Sequence, residues 1–470
     1  MDRAMENLAV IILAAGKGKR MRSGRVKVLH PLLGRPMLSF SLECCLDGLH
    51  PEKTVVVIGH QAEQIRAAFP DARITFVEQK EQFGTGHAVS MAEPMLNDFA
   101  GTILILSGDT PLITAQTLGE MVKHHREQKA PLTIQTTLRE DPAGYGRVLR
   151  GKGAAGTVQK VVEEKDATPQ EQKIKEVNTG IYCVEPPFLF QALTTLRSDN
   201  AQGEYYLPDN IEAALRKKKK VATFVATDPM EVMGINTRAE LVQAEAIMAE
   251  QVRRHWMTEG VTIQDPGSVY IEPAVRIGRD TVIRPNCYLR GETVIGEECR
   301  IGPQVEICDS QVGDRVEIRF CTMITESRIA DEAIVGPFSH LRPDCRLEKG
   351  AKIGNFVEVK KSRIGPGTKA NHLAYIGDSE VGAGVNIGAG TITCNYDGFQ
   401  KHRTIIEDGA FVGSNTALVA PVKVGKGASV GAGTTVTKDV PPYALAVSRS
   451  PQKSFRNWAM KKEKNKGRQG

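Results

Sequence analysis

Aliphatic residues recur at every sixth position through most of the second half of the chain. The run begins at Ile277 and passes through Ile283, Leu289, Ile295, Ile301 and Ile307, then takes a five-residue step to Val312, Ile318 and Ile324. Another five-residue step leads to Ile329, Val335, Leu341, Leu347, Ile353 and Val359. Short steps then give Ile364, Ala370, Ile376, Val381, Ile387 and Thr393, and beyond an inserted loop come Ile406, Val412, Leu418, Val424, Val430 and Val436. A period of six fits neither the α-helix nor the alternation of an open sheet. Each slip falls after a multiple of three sites, so the slips mark one corner of a three-sided coil. The pattern predicts a parallel β-helix of hexapeptide repeats, triangular in section, whose stacked coils bury a core that no single coil could bury. Glycines that follow the aliphatic sites, such as Gly278, Gly296 and Gly313, are expected where the chain bends and side chains must be small.

The first half alternates differently. Short apolar runs at Leu8 to Leu13, Thr54 to Ile58, Ile74 to Val77 and Thr102 to Leu106 are separated by helix-length segments. That rhythm predicts an α/β domain with a mostly parallel sheet and ligands bound outside the carboxyl ends of its strands. The segment RAELVQAEAIMAEQVRRHW, free of Gly and Pro, predicts a long helix. The expected boundaries are 1–236 for the α/β domain, 237–260 for a linker helix and 261–470 for the β-helix with its tail. Beyond Gln452 the chain is expected to be poorly ordered.

Composition narrows the setting. No apolar run approaches the roughly 20 residues of a membrane span. The first strand turns glycine-rich too soon for a signal peptide, so the expected location is cytoplasmic. Nine cysteines without metal-ligand or oxidoreductase spacing indicate reduced thiols. The net charge of +6 has two concentrations, Lys217 to Lys220 and the tail KKEKNKGRQG. Both read as solvated surface, and no nucleic-acid partner is expected.

Two groups of polar residues carry candidate chemistry. The strand at Leu8 to Leu13 runs into LAAGKGKRM, a glycine-rich turn whose backbone N–H groups can cradle a phosphate or a base. It lacks the GK[ST] of a Walker loop and the third glycine of a dinucleotide fingerprint. Arg20 and Lys27 follow, suited to a polyphosphate. Gln79, Gly84 and Thr85 form another polar strand-to-loop element, and Asp109, just after a strand, can hold a hard cation. In the β-helix the repeat is broken at LRPD, EVKKSRIG, ANHLAYIGD and, most extensively, TCNYDGFQKHRT, which predicts a projecting loop. A lone His372 beside a corner reads first as a turn residue. With Arg342, Lys360, Tyr375, Asn386, Asn395 and Tyr396 close in coil count, the set suits an amino-sugar phosphate, and an imidazole can take the proton an amine must lose on acylation.

The strings LAAGKGKRM, KVLH, EQFGTGHA, SGDTPL, YGRV, VEEKDA, NTGIY and GEYYLPD, followed by hexapeptide repeats, resemble the bacterial bifunctional N-acetylglucosamine-1-phosphate uridyltransferases and glucosamine-1-phosphate acetyltransferases over nearly the whole chain. The resemblance implies a Rossmann-like nucleotidyltransferase domain, a long helix and a left-handed parallel β-helix, assembled as a homotrimer. It implies that Leu13, Ala14, Ala15, Gly16, Gln79, Gly84 and Thr85 hold the nucleoside of UTP, with Arg20 and Lys27 at its phosphates and Ser107 and Gly108 alongside. Gly146, Glu163 and Asn178 would grip the sugar of N-acetylglucosamine 1-phosphate, and Asp109 and Asn236 would bind Mg²⁺. In the second domain it implies His372 as base, with Arg342 and Lys360 on the phosphate of glucosamine 1-phosphate and Tyr375, Asn386, Asn395 and Tyr396 orienting the sugar. Ala389, Ser414, Ala432 and Arg449 would line an acetyl-CoA site, with Lys401 nearby. Two residues depart from the family pattern: Lys19 replaces a usual Thr, and Val26 replaces a usual Pro. A single-activity sugar-1-phosphate nucleotidyltransferase with a scaffolding β-helix, and a non-catalytic subunit reusing both folds, are the alternatives. Neither explains His372 and the NYDG loop together with an intact Lys27, Asp109 and Asn236.

Overall fold

The computed structural model describes residues 6–151, 156–448 and 450–466. The chain divides into two compact units, Met1–Met248 and Ala249–Gly470, with the division inside the helix Arg238–Thr258.

In the first unit the strand Leu8–Ala14 lies between Lys53–Ile58 and Thr102–Ser107, parallel to both, and Ile74–Glu78 extends the sheet beyond Lys53–Ile58. On the other side Glu176–Val184 runs antiparallel to Thr102–Ser107 and Leu132–Leu138, and Val221–Val225 closes the edge in parallel. Leu8 through Ile12 are all fully buried because both faces of the sheet are covered. Ala9 and Ile11 join one core with Val89, Phe188 and Ile211, while Leu8, Val10 and Ile12 join the other with Leu38, Leu118 and Met121. The strand order reverses at Leu8–Ala14, placing a crevice beyond its carboxyl end and that of Thr102–Ser107. A side hairpin of Gly146–Arg150 and Val158–Val162 joins the sheet through Glu176–Val184.

The second unit is the expected parallel β-helix. One face stacks Ile277, Ile295, Val312, Ile329, Leu347, Ile364, Val381, Ile406 and Val424, coil on coil. Ile318, Val335, Ile353, Ala370 and Ile387 do the same on a second face, and Leu289, Ile307, Ile324, Leu341 and Val359 on the third. The coil begins earlier than the six-residue rhythm, at Ile263 and Ile271, and ends later, at Ala446. A 3₁₀ turn at Pro266–Ser268 stretches the first step to eight residues and hides it from the periodicity.

Most glycines after the aliphatic sites do not turn the chain. A Cβ on Gly278 would come within 2.5 Å of the Gly296 carbonyl carbon one coil on, so they are glycine for closeness of neighbouring coils. The turning is done by left-handed residues such as Asp280, Glu298 and Glu332. The long helix spans Arg238–Thr258, inside the expected 237–260. Within the tail, residues Trp458–Lys466 form a helix, as their Ala, Met, Lys and Glu content favours, while 467–470 lie outside the described residues.

Candidate active sites

The crevice of the first unit opens into a cleft of about 960 Å³, and of the candidate nucleotide-, sugar- and metal-binding residues in this unit all but Gly108 line it. Gly108 stands behind, where a Cβ would meet Leu38 at 2.8 Å. The glycine-rich turn is shaped by one forced contact. Gly18 is left-handed (φ 59°), and a Cβ there would lie 2.6 Å from the Cβ of Lys27, so the loop closes against the lysine stem. Val26 adopts φ −54° and ψ 135°, the backbone a proline would impose, so the substitution leaves the loop's course unchanged. Lys19 opens the 3₁₀ turn Lys19–Met21.

Across the cleft the strings EQFGTGHA and GEYYLPD clasp each other. Tyr205 N–H donates to the Phe83 carbonyl at 2.7 Å, Gly86 N–H to the Tyr205 carbonyl at 2.8 Å, and Leu207 N–H to the Thr85 hydroxyl at 3.0 Å. Gly84, at φ 102°, has no room for a side chain, since its Cβ would sit 2.7 Å from the Tyr205 carbonyl oxygen. The buried Gln79 amide donates to the Gly84 carbonyl at 3.1 Å and meets His87 Nδ1 at 3.0 Å.

Lys27 pairs with Asp109 and donates to Asn236 Oδ1 at 2.7 Å. Burial works to raise the Asp109 pKa, but the Lys27 charge and hydrogen bond prevail and hold it below the usual carboxylate range. Among the described residues no cluster of three or more His, Cys, Asp or Glu is placed to bind a metal. Two hard oxygens bridged by an ammonium nonetheless fit magnesium, which takes one or two protein oxygens and completes its shell with water and phosphate.

The sugar side of the cleft is acidic. Glu163 lies against Gly146, whose Cβ would come 3.3 Å from Glu163 Oε1. Burial, then the charges of Asp166, Asp209 and Glu204, push the Glu163 carboxyl up to about 7, against the opposing charge of Arg147. A register shift in Glu176–Val184 aims Asn178 inward, where its amide donates to the Tyr182 hydroxyl at 2.7 Å. The buried Arg147 ties this wall together, donating to the Tyr145 and Gln172 carbonyls and pairing with Glu164 at 2.7 Å. Arg147, Gln82, Tyr145, Glu204 and Leu207 were not singled out from the sequence. The strings YGRV, GEYYLPD and, for Gln82, EQFGTGHA are the available signal, but a string does not tell which of its side chains faces a cleft.

In the β-helix, His372 sits at the corner midway along the strand Lys369–Gly377, opposite Asn355 in the preceding coil. Its Nδ1 meets Asn355 Oδ1 at 2.8 Å, an acceptor that places the proton on Nδ1 and leaves the Nε2 lone pair available. Successive coils put Ala389, Ser414 and Ala432 at the same corner, as Gly390 N–H donates to Leu373 O, Asn415 N–H to Ala389 O and Gly433 N–H to Ser414 O. Three of the four candidate acetyl-CoA residues therefore form one column with His372. Arg449 lies outside the described residues.

Arg342 and Lys360 follow the paired Leu341 and Val359 on adjacent coils. Arg342 donates to Glu358 at 2.9 Å. The adjoining Lys401 ammonium, then loss of water and the charge of Arg342, lower the Lys360 pKa. Three cations are thus gathered without a matching number of carboxylates, which suits a phosphate. Gly377 makes room beside them, since a Cβ there would meet the Tyr375 hydroxyl at 2.5 Å and Asn395 Nδ2 at 2.7 Å. The loop after Asn395 is braced by Asp397, which accepts from Phe399 N–H, Gln400 N–H and His402. Tyr396 is exposed on it. Asn386 stands apart, on the preceding face beside Lys369 and Phe411.

The family described as Nucleotidyl transferase matches residues 9–257, and Bacterial transferase hexapeptide (six repeats) matches residues 403–438. A curated relative from Pelobacter propionicus, named Bifunctional protein GlmU, is 50% identical, covering 98% of this chain and 100% of its own. Relatives of the same name from Trichlorobacter lovleyi (48% identical, 97% of this chain, 99% of theirs) and Geotalea uraniireducens (47%, 98% and 100%) align as completely. With a family match in each half and the alignments running nearly end to end, the chain belongs to the bifunctional GlmU family.

Proposed function

We propose that this enzyme makes UDP-N-acetylglucosamine in two steps, acetylating glucosamine 1-phosphate with acetyl-CoA and then transferring UMP from UTP to the N-acetylglucosamine 1-phosphate formed. The observation that carries this reading is the coexistence, in a chain matched end to end by relatives named bifunctional, of a switch-point cleft and a separate His372 corner. Residues 1–236 are assigned the uridyl transfer and 261–470 the acetyl transfer, with 237–260 as the helix linking them.

In the first reaction the sugar amine attacks the thioester carbonyl, a C–N bond forms, and the C–S bond breaks to release CoA. His372 Nε2 takes the amine proton, with Asn355 fixing the ring. Arg342, Lys360 and Lys401 meet the phosphate, Tyr375 and the Asn395–Tyr396 turn orient the sugar, and Ser414, in the His372 column, polarises the thioester carbonyl.

In the second reaction the sugar phosphate is already ionised and needs no base. Its oxygen attacks the α-phosphorus of UTP and pyrophosphate leaves. Lys27 and Arg20 offset the charge on the phosphates, and the backbone from Leu13 to Gly16 seats the nucleotide. The Asp109 and Asn236 oxygens would hold magnesium, whose charge adds to that of the two side chains. Glu163, Asn178 and Gly146 receive the sugar.

A homotrimer in the cytoplasm is part of the proposal. Asn386 lies on a different face of the prism from Tyr375 and Asn395, so a second copy presenting its own Asn386 side would complete the sugar site. No helix among the described residues is long and apolar enough to cross a membrane.

Release of CoA thiol from acetyl-CoA that depends on glucosamine 1-phosphate, and release of pyrophosphate from UTP that depends on N-acetylglucosamine 1-phosphate, test the two halves separately. His372→Ala should abolish the first and spare the second. Pyrophosphate release alone, from folded protein, would reduce the β-helix to a scaffold.

A further inference from the structure

We propose that Lys27 is the resident cation of the nucleotide site: before substrate binds, its ammonium occupies the place between Asp109 and Asn236 that a divalent metal takes, and metal entry turns it out toward the phosphates. The inference rests on the uridyl-transfer reading for the metal ligands Asp109 and Asn236 and for the identity of the incoming ligand.

The two oxygens are tied from behind, whereas the lysine tip is held only by those oxygens. Ile235 N–H donates to the Asp109 carbonyl at 2.9 Å, tying the segment that carries Asn236 to the one that carries Asp109. Glu240 accepts from the N–H groups of Asn236 and Thr237 at 2.6 and 2.7 Å, and Glu240 N–H returns a bond to the Thr237 hydroxyl at 3.2 Å, a reciprocal cap that pins Asn236 at the start of the long helix. At the other end the stem of Lys27 is wedged against Gly18. Beyond its wedged stem, the Lys27 side chain is held through its Nζ by Asp109 and Asn236, and it lines the same cleft as Gly16, Gly18 and Arg20.

Lys27 Nζ is bonded to both Asp109 and Asn236, so a metal ligated by the same two oxygens would fall on the ammonium itself. Magnesium draws its ligands to about 2.0–2.1 Å, and two cations cannot share that space. Until metal binds, the lysine spares Asp109, a carboxylate only 16% exposed, the cost of standing without a countercharge. When metal arrives, that service is no longer needed and the ammonium becomes available to the triphosphate. One side chain thus neutralises the carboxylate in the metal-free protein and contributes to the loaded site, and binding of metal and of phosphate becomes cooperative.

The full-length protein, without nucleotide, is titrated with Mn²⁺ and the free ion followed by electron paramagnetic resonance. In parallel the acetylation of Lys27 by N-hydroxysuccinimidyl acetate is quantified by mass spectrometry. Labelling of Lys27 is expected to rise severalfold with the same midpoint as metal binding. Lys27→Met is expected to bind Mn²⁺ about tenfold tighter than wild type, having no cation to displace. In Asp109→Asn, Lys27 should label readily without metal and ignore its addition. Bound Mn²⁺ with Lys27 labelling unchanged or reduced would overturn the proposal, as would Lys27→Met binding no tighter than wild type or not at all. None of these readouts involves turnover, so a missing pyrophosphate release would overturn the functional reading while leaving this one standing.

Discussion

Replacing Glu163 with glutamine should stabilise the first unit above neutral pH while weakening its hold on the sugar. Burial and the charges of Asp166, Asp209 and Glu204 lift the Glu163 carboxyl from an ordinary 4.5 to about 7. At about 1.4 kcal/mol per pH unit, that is roughly 3 kcal/mol withheld from the fold when the group is ionised. The sign follows from proton binding. Below pH 4.5 the group is protonated folded and unfolded, so it costs nothing. Between 4.5 and 7 the unfolded chain has lost the proton that the folded one keeps, so stability falls as pH rises, and above 7 the whole penalty is in place. The amide introduced by Glu163→Gln cannot ionise. The variant's advantage should therefore grow from near zero at pH 4.5 to about 3 kcal/mol at pH 8, the cleft's contact with water setting that as a ceiling. Hydrogen exchange of peptides covering Val158–Val162, corrected for intrinsic rate, reads it directly. A gap between variant and wild type that stays flat from pH 5 to 8 would refute the reasoning. Because the ionised carboxylate is the better acceptor for sugar hydroxyls, the KM for N-acetylglucosamine 1-phosphate in wild type should fall as pH rises past 7, and in the variant it should be higher and flat.

Gly18→Ala should cut uridyl transfer by about a hundredfold and leave acetyl transfer intact, because the new methyl group displaces Lys27 and reacting groups tolerate little misplacement. Pyrophosphate and thiol release on one preparation check it. Asn355→Ala, which frees the His372 ring to adopt the wrong tautomer, should lower kcat for acetyl transfer roughly ten- to a hundredfold with KM little changed, and Asn355→Asp should recover part of it. His125 is pushed down to about 4 by burial, with Arg126 and His124 adding to it, so it stays neutral in the fold while the unfolded chain takes up a proton below 6.5. Stability of the first unit should thus drop by roughly 3 kcal/mol as pH falls from 6.5 to 4, a loss that calorimetry should find diminished in His125→Gln.

The β-helix was almost wholly legible because its physics is periodic. Every coil repeats the same demand for an aliphatic residue, and the rhythm is lost only where a turn changes the step, at Pro266–Ser268 and again around Pro441 and Pro442. The parallel sheet was legible for a related reason: strands covered on both faces must be apolar throughout, as Leu8 to Ile12 are. Candidate site residues were found where a residue type carries its own chemistry, as with Asp109, Lys27 and His372. What stayed hidden depends on neighbours brought together from afar. The high pKa of Glu163 needs Asp166, Glu204 and Asp209 around it, and the reason for the glycine at 18 is the lysine at 27.

The same distinction governs how the two candidate sites differ. In the β-helix the corner column His372, Ala389, Ser414 and Ala432 is set by a lattice of coils, each held to the next by backbone hydrogen bonds, so the site inherits its spacing from the core. A substitution in that core, Val359→Ala for example, shortens the row beneath Lys360 and should disturb the phosphate contacts before it unfolds the domain, since neighbouring coils on both sides still hold the backbone. In the first unit no such lattice exists. Lys27, Asp109 and Asn236 come from three separate segments, and what holds them in register is a handful of specific contacts: the Gly18 contact, the Ile235 to Asp109 link and the Glu240 cap. A site built this way can let one member move while the others stay, which the displacement of Lys27 by a metal requires and a corner of stacked coils could not provide.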